Sequence, residues 1–233
     1  GEKMVREIFH NQNSQISVIR VLALDEFFRE NPEFLSRYNC LVVSKRDIEK
    51  ISTLSNPDRV LMEMKLPDYS IGMEWKEELN LYFESIRDPG NLGTIIRTAD
   101  WFGFNKVFCS PDSVDAYNPK VIQSTMGSIS RVKVIYIEAE EFLNWAAQEH
   151  EFQNLGTVLG GESIYEKGFP KKGMIYFGNE SNGLSSFIND ACQQHIGIPG
   201  SNTENGPESL NLGISAGIVL SEISRQNLLK MKI

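Results

Sequence analysis

Apolar positions recur along this chain with two different periods, and their alternation predicts its architecture. From Lys76 onward short apolar runs read as buried strands: Leu79 to Phe83, Lys106 to Ser110, Val132 to Ile137, Gly156 to Leu159, Met174 to Phe177, and Ile196 with Ile198. Between them lie segments with helical spacing. Leu92, Ile95, Ile96, Ala99 and Phe102 form one stripe, Phe142, Leu143 and Ala146 another within Glu140 to His150, and Pro119 to Met126 and Ser209 to Asn227 complete the set. Strands separated by helices of this length predict a parallel α/β sheet, whose ligands lie beyond the strand C-termini. Three such termini run into polar, glycine-bearing loops: Gly160-Gly161-Glu162-Ser163, Gly178 to Leu184, and Pro199 to Ser209. Glycines there let main chain approach a ligand closely, although turns require glycine in any case.

Residues 1–75 predict a separate small α/β unit. Its elements are a helix from Lys3 to about His10, a strand over Ser17 to Ala23, a helix from Asp25 to Tyr38 whose start Pro32 can shift, a strand at Cys40 to Ser44, a capped helix from Ser44 to Ser52 and a strand at Arg59 to Met64. Lys65 to Trp75 carries Pro67, Asp68, Ser70 and Gly72, a linker composition that sets the boundary with the domain 76–233. The chain starts at Gly1 without a methionine, and its N-terminus is expected to be incomplete.

Asp88 to Gly103 organises the larger part. Pro89 and Gly90 supply turn chemistry, the apolar stripe follows as a helix, and Gly103 stands where a glycine ends one. Arg97 projects from the edge of that stripe, where a permanently charged guanidinium can meet a phosphate or carboxylate near Asn91. The same residues also describe an ordinary βα connection with a solvated arginine.

Composition narrows the chemistry. The 233 residues are 41% hydrophobic, enough for a core without staples, and the three cysteines are widely spaced with no C-x-x-C pair, which fits a reduced, cytoplasmic setting and no zinc site. The net charge is −8 and neither half of the chain is basic, so any nucleic acid is gripped by a local patch. No G-x-G, Walker A or H-E-x-x-H pattern occurs, which removes the common signatures of dinucleotide, triphosphate and zinc-protease chemistry. His10, His150 and His195 are scattered and read as surface or core filler.

Three segments taken together resemble the SpoU (TrmH-type) family of RNA ribose 2′-O-methyltransferases, within the SPOUT superfamily. They are Asn91-Leu92-Gly93 through Arg97, Ala99 and Phe102-Gly103; Phe177-Gly178-Asn179-Glu180 with Gly183-Leu184-Ser185; and Ile198-Pro199 through Glu208-Ser209-Leu210-Asn211-Leu212. Asn118-Pro119-Lys120, Met126-Gly127-Ser128 and Arg131-Val132 extend the likeness, which covers roughly Leu79 to Ser224. Ser44 to Met64 more faintly resembles the small substrate-binding domain that precedes the catalytic domain in many members.

The resemblance implies a C-terminal trefoil knot and S-adenosylmethionine as cofactor, held by Leu159, Gly160, Gly161, Gly178, Asn179, Glu180, Ile198, Pro199, Gly200, Ser209, Leu210 and Leu212. It implies Arg97 as the key catalytic residue, with Asn91 positioning ribose or phosphate, Glu180 orienting Arg97 or the methyl donor, and Ser209 and Asn211 holding the attacking hydroxyl. It further implies a homodimer in which Arg97 reaches the partner subunit's cofactor, no metal, and an RNA substrate, ribosomal favoured over transfer RNA. Glu180 also reads simply as a cap for the helix after it. Gly200 and Gly213 depart from the family pattern and are expected to loosen the pocket; Ser201 to Pro207 reads as either a substrate loop or filler, filler being favoured. The other reading is a non-catalytic RNA-binding or ribosome-assembly protein that keeps the fold.

Overall fold

A computed structural model describes residues 1–11, 16–67, 73–149, 151–200 and 208–230. His150, the linker positions Asp68, Ser70 and Gly72, and the 201–207 loop lie outside the described residues. The chain divides into two compact units, one of Gly1–Tyr69 with Met126–Arg131, the other of Ser70–Thr125 with Val132–Ile233.

The smaller unit contains α1 (Glu2–His10), β1 (Ser17–Ala23), α2 (Asp25–Glu30), α3 (Glu33–Arg37), β2 (Cys40–Val42), α4 (Lys45–Ile51) and β3 (Val60–Lys65). Its sheet runs β2-β1-β3, with β1 parallel to β2 and antiparallel to β3. Val5, Val21, Ala23, Phe27, Phe28, Phe34 and Val60 form its core. The single helix expected over 25–38 is two. Pro32 has no amide to continue the ladder and drives Asn31 out of helical backbone, to φ −136° and ψ 63°. The capped helix at 45–51 carries a full capping box, Ser44 and Asp47 each accepting the other's backbone amide.

The larger unit contains β4 (Leu79–Phe83), α5 (Pro89–Trp101), β5 (Lys106–Cys109), α6 (Pro119–Thr125), β6 (Lys133–Tyr136), α7 (Ala139–Ala146), β7 (Gln153–Ser163), β8 (Gly173–Phe177), α8 (Ser186–Ala191), β9 (Gln194–Gly197) and α9 (Leu212–Lys230). The six strands form one sheet in the order β6-β5-β4-β8-β7-β9, every pairing parallel. β8 is buried along its whole length and β4 over four of its five residues, as expected of strands covered on both faces. Trp75, on the small-domain side of the boundary read from composition, packs its indole against Phe142, Trp145 and Phe152 in the larger unit. Among the described residues no helix is long and apolar enough to cross a membrane.

Three segments of the larger unit differ from expectation. Residues 160–163, read as a loop, belong to β7, which pairs with β9 at Leu155 to Thr157, bulges, and pairs again at Glu162 and Ser163. The bulge bends the strand and breaks its alternation, which hides it from a period-2 reading. α9 starts at Leu212 rather than Ser209, and α8 lacked an apolar stripe long enough to be read at all.

A buried carboxylate ties α9 to the β7–β8 connection. Glu222 is 5% exposed and accepts from Arg225 at 2.8 and 2.7 Å and from Gln226 at 2.8 Å. Gln226 then donates to the Lys167 carbonyl at 2.7 Å and accepts from the Phe169 amide at 3.1 Å. The Arg225 guanidinium holds the Glu222 carboxyl down at about 2 against the opposing effect of burial. A carboxyl lowered on folding stabilises above its unfolded value, and that contribution fades as pH falls toward 2. Replacing it with Ala is expected to cost ~2 kcal/mol at neutral pH, a fall of several degrees in melting temperature. Thermal melts from pH 7 to pH 3 check this: the gap between Glu222→Ala and the parent narrows as pH falls.

Candidate active site

The middle of β7 and the C-terminal ends of β8 and β9 converge on a cavity of about 540 Å³, within the size range of small-molecule sites. Its walls are Thr157 to Leu159 of β7, Phe177 to Leu184 after β8, Ile196 to Ile198 at the end of β9, and Glu208 to Leu210 leading into α9; Ile164, Leu212 and Val219 supply apolar floor. This is where a parallel sheet is expected to bind.

The turn after β8 is tightly built. Asn179 and Gly183 exchange two backbone hydrogen bonds of 2.9 Å, and the Asn179 side-chain oxygen accepts from the Ser181 and Asn182 amides at 2.9 and 3.2 Å. Gly178 is required by close approach, since a Cβ there would lie 2.2 Å from the Gly183 carbonyl carbon and 2.3 Å from the Leu184 nitrogen.

This turn meets the start of α5. Asp88 caps α5 by accepting the Asn91 amide at 2.9 Å, and Pro89 occupies the first turn, so Asn91 is already helical rather than in the preceding loop. The Asn91 side chain donates to the Glu180 carboxylate and accepts from Asn211 Nδ2 at 2.8 Å. Asn211 in turn takes the Ile214 amide at 3.3 Å at the head of α9. One residue from each of three distant segments, Asn91, Glu180 and Asn211, thus forms a single hydrogen-bonded junction. Glu180 is therefore not a helix cap; that role falls to Ser185, whose hydroxyl accepts the Ile188 amide at 3.4 Å.

Of the residues singled out from sequence, Leu159, Gly178, Asn179, Glu180, Ile198, Ser209, Leu210 and Leu212 line the cavity, whereas Gly160, Gly161, Pro199 and Gly200 do not. Gly161 has a different reason to be glycine: a Cβ would lie 2.5 Å from the Ile196 carbonyl carbon, where β7 crosses back to β9. Gly213 sits against Thr94 of α5 and not in the cavity lining, so it serves helix packing and does not loosen the pocket. Arg97 is exposed and has no ion pair among the described residues. Six residues beyond Asn91, it is displaced by ~9 Å along the helix and turned by ~120° around it, away from the junction of its own chain. Thr157, Val158, Ile164, Asn189, Ser215 and Val219 also line the cavity and were not singled out; none carries a sequence signal beyond its apolar or small polar character.

Other chemistries find no support in the geometry. Burial pushes the Cys192 thiol up to about 12 and raises Cys109 further, so neither is a ready thiolate. His195 spends one ring nitrogen on the Asn189 carbonyl at 3.1 Å. No group of three His, Cys, Asp or Glu side chains able to hold a metal ion occurs among the described residues.

A parallel α/β unit with a hydrogen-bonded loop junction beside a cavity is the class of fold the geometry defines, and the comparisons with known proteins give it a family. A family model described as SpoU rRNA methylase matches residues 78–221. The chain belongs to that family. Among its relatives, an uncharacterized tRNA/rRNA methyltransferase of Synechocystis sp. is 30% identical over 79% of this chain and 67% of its own length. A 23S rRNA (guanosine-2′-O-)-methyltransferase of Neisseria meningitidis is 33% identical over 65% of this chain and 60% of its own. A solved structure of a TrmH-family protein from Porphyromonas gingivalis superposes with a TM-score of 0.83 at 28% identity, covering 97% of this chain and 88% of that one. An AdoMet-bound rRNA methyltransferase from Sinorhizobium meliloti gives 0.78 at 25% identity, covering 96% and 85%.

Because the clash at Gly178 is with backbone, Gly178→Ala is expected to break the 179–183 turn and destabilise the protein by ~1–3 kcal/mol. Chemical denaturation checks it; a midpoint unchanged from the parent would refute the close-approach argument.

Proposed function

We propose that this protein transfers a methyl group from S-adenosylmethionine to a ribose 2′-hydroxyl of structured RNA, ribosomal RNA being the favoured substrate. The observation that carries the reading is the junction of Asn91, Glu180 and Asn211 at the cavity, because it joins the three segments whose sequences resemble the family's motifs. The cavity's contents fit the cofactor. Its apolar floor of Ile164, Ile196, Leu212 and Val219 suits an adenine ring, the main chain at Thr157 to Leu159 and Ile196 to Ile198 offers amides and carbonyls, and Glu180 and Glu208 place negative charge at its rim.

When bound, S-adenosylmethionine supplies a methyl carbon on a cationic sulfur. The chain's own residues have the remaining tasks of aligning the ribose oxygen, stabilising the charge it acquires and holding the neighbouring phosphate. Arg97 is assigned the phosphate clamp and stabilisation of the nascent alkoxide, a role a planar, always charged fork performs better than proton abstraction. Asn91 positions ribose or phosphate, Glu180 fixes Asn91 and faces the methyl donor, and Ser209 and Asn211 hold the attacking hydroxyl. Leu159, Gly178, Asn179, Ile198, Leu210 and Leu212 form the cofactor pocket, with Gly160, Gly161, Pro199 and Gly200 as its outer backbone.

Arg97 turns away from its own junction, so the reading includes a homodimer in which it completes the partner subunit's site. It also includes a trefoil knot in the C-terminal part, an RNA-binding role for the domain over residues 1–75, and a cytoplasmic setting.

Arg97→Ala is expected to lower methyl transfer at least ~100-fold, by analogy with the loss of an oxyanion donor, while leaving cofactor affinity within a few-fold. Calorimetric titration with S-adenosylmethionine together with tritium transfer into unmodified ribosomal RNA transcripts measures both. Full transfer by this variant would overturn the role of Arg97, and absence of S-adenosylmethionine binding by the parent would overturn the reading itself.

A further inference from the structure

The backbone that leads into α5 contains a conformation that its own residue disfavours. Ser85 has φ +52°, in the left-handed region that costs a side-chain-bearing residue about 1 kcal/mol or more. Every polar group of Ser85 is taken, and by two different segments. Its amide donates to Ser110 Oγ at 2.7 Å, its hydroxyl donates to Asp112 Oδ2 at 2.7 Å, and its carbonyl accepts from Asn179 Nδ2 at 2.8 Å. The next amide, Ile86, donates to Ser113 Oγ at 3.1 Å. Asp112 ties this cradle together. It accepts from Ser110 Oγ at 2.5 Å and from Arg87 Nη2 at 2.7 Å, while Arg87 Nη1 reaches its carbonyl at 2.8 Å.

The position of this bend matters. Three residues beyond Ser85, Asp88 caps α5, and Asn91 and Arg97 follow on that helix. On the other side, Asn179 is the residue that closes the turn lining the cavity, so the Ser85 carbonyl and the cavity turn share one side chain. A loop free to relax to extended backbone at residue 85 would redirect α5 and part this link.

We propose that Asp112, in the turn after β5, is a positioning residue for the methyl transfer: by holding Ser85 in left-handed backbone it fixes the entry of α5, and through Ser85 and Asn179 it couples that entry to the cavity turn. The proposal rests on the function proposed above for the kinetic and cofactor-dependent parts of its test; the exchange measured without cofactor, expected to be faster over 84–92 in Asp112→Ala than in the parent, stands without it.

The experiment uses the full chain as Asp112→Ala, Asp112→Asn and the double variant Asp112→Ala with Ser85→Gly. Tritium transfer into unmodified 23S ribosomal RNA transcript is measured alongside hydrogen–deuterium exchange of residues 84–92 with and without S-adenosylmethionine. In the parent, the cofactor slows exchange over 84–92. In Asp112→Ala, kcat is expected to fall about tenfold with KM for S-adenosylmethionine within twofold, and the cofactor's effect on 84–92 is lost, whereas Asp112→Asn, which keeps an acceptor, retains most of both. Glycine adopts left-handed backbone without penalty, so the double variant regains at least threefold in kcat and slower exchange. An Asp112→Ala protein with parental kcat and exchange, or a double variant no better than the single one, overturns the proposal. If the parent methylates no RNA, the function reading fails alone, and the exchange data and their rescue by glycine still decide the role of Asp112.

Discussion

The parallel pairing of β4 with β8 is the constraint on which the site depends. Phe83 lies beside Phe177 and both rings stack at 4.7 Å, so the two strands end level with one another at the middle of the sheet. Parallel strands send their chains out at the same edge. The segment carrying Asn91 and the segment carrying Glu180 therefore emerge side by side although they are about ninety residues apart, and the Glu84 amide donating to the Phe177 carbonyl at 2.9 Å carries the pairing one residue past the strand. A shift of two residues in this register would separate the junction altogether. The depth of burial of both strands is what forbids that shift, because it would carry Glu84 into the core.

From that pairing the remaining order follows by short-range chemistry. Glu84 accepts the Ser185 amide at 2.8 Å, Asn179 accepts two amides of its own turn, and Asp88 caps α5. Each bond satisfies a backbone group that a strand or helix end would otherwise leave without a partner, and the bond from Ser185 to Glu84 also joins two of the segments around the cavity. Satisfying the backbone and shaping the site are here the same act. Burial alone would raise the Asp112 carboxyl, but hydrogen bonds from Ser110 and Ser85 and the charge of Arg87 bring it below the usual range, so it is anionic and able to accept all three donors at neutral pH.

Much of this was legible before any coordinates. The short buried strands and the stripe through Leu92, Ile95, Ile96 and Ala99 carry strong periods, and they predict the parallel sheet and the order of its loops. What escaped has identifiable causes. β7 bulges, so its second half lost its alternation; α8 is six residues long with one buried position, too short to show a period; Pro32 broke a helix whose apolar spacing looked continuous. Within the site, residue types in the three segments pointed to a common purpose, but which side chains touch depended on long-range pairing. Asn91 bonding to both Glu180 and Asn211 is a relation among three loops that no local pattern encodes. Ser85 gave no signal, since a left-handed serine is written in the same letter as any other.

The acidity of the chain, −8 overall, is at odds with a polyanionic substrate only if affinity comes from the bulk field. The larger unit offers a different logic. Several of its basic side chains are already matched to carboxylates, Arg87 with Asp112, Lys106 with Glu78, Lys167 with Glu162 and Lys172 with Glu77, so they add little net attraction to a phosphate. Arg97 is exposed on α5 without such a match. An unmatched guanidinium on a helix of a net acidic chain is a poor device for collecting RNA at random, because the overall field weakens every non-specific contact. It is a good device for discrimination, because only a substrate that brings a phosphate to that one position gains the interaction. On the proposed reading the chain therefore gives up non-specific affinity and keeps selectivity for the one ribose that shape brings to the cavity.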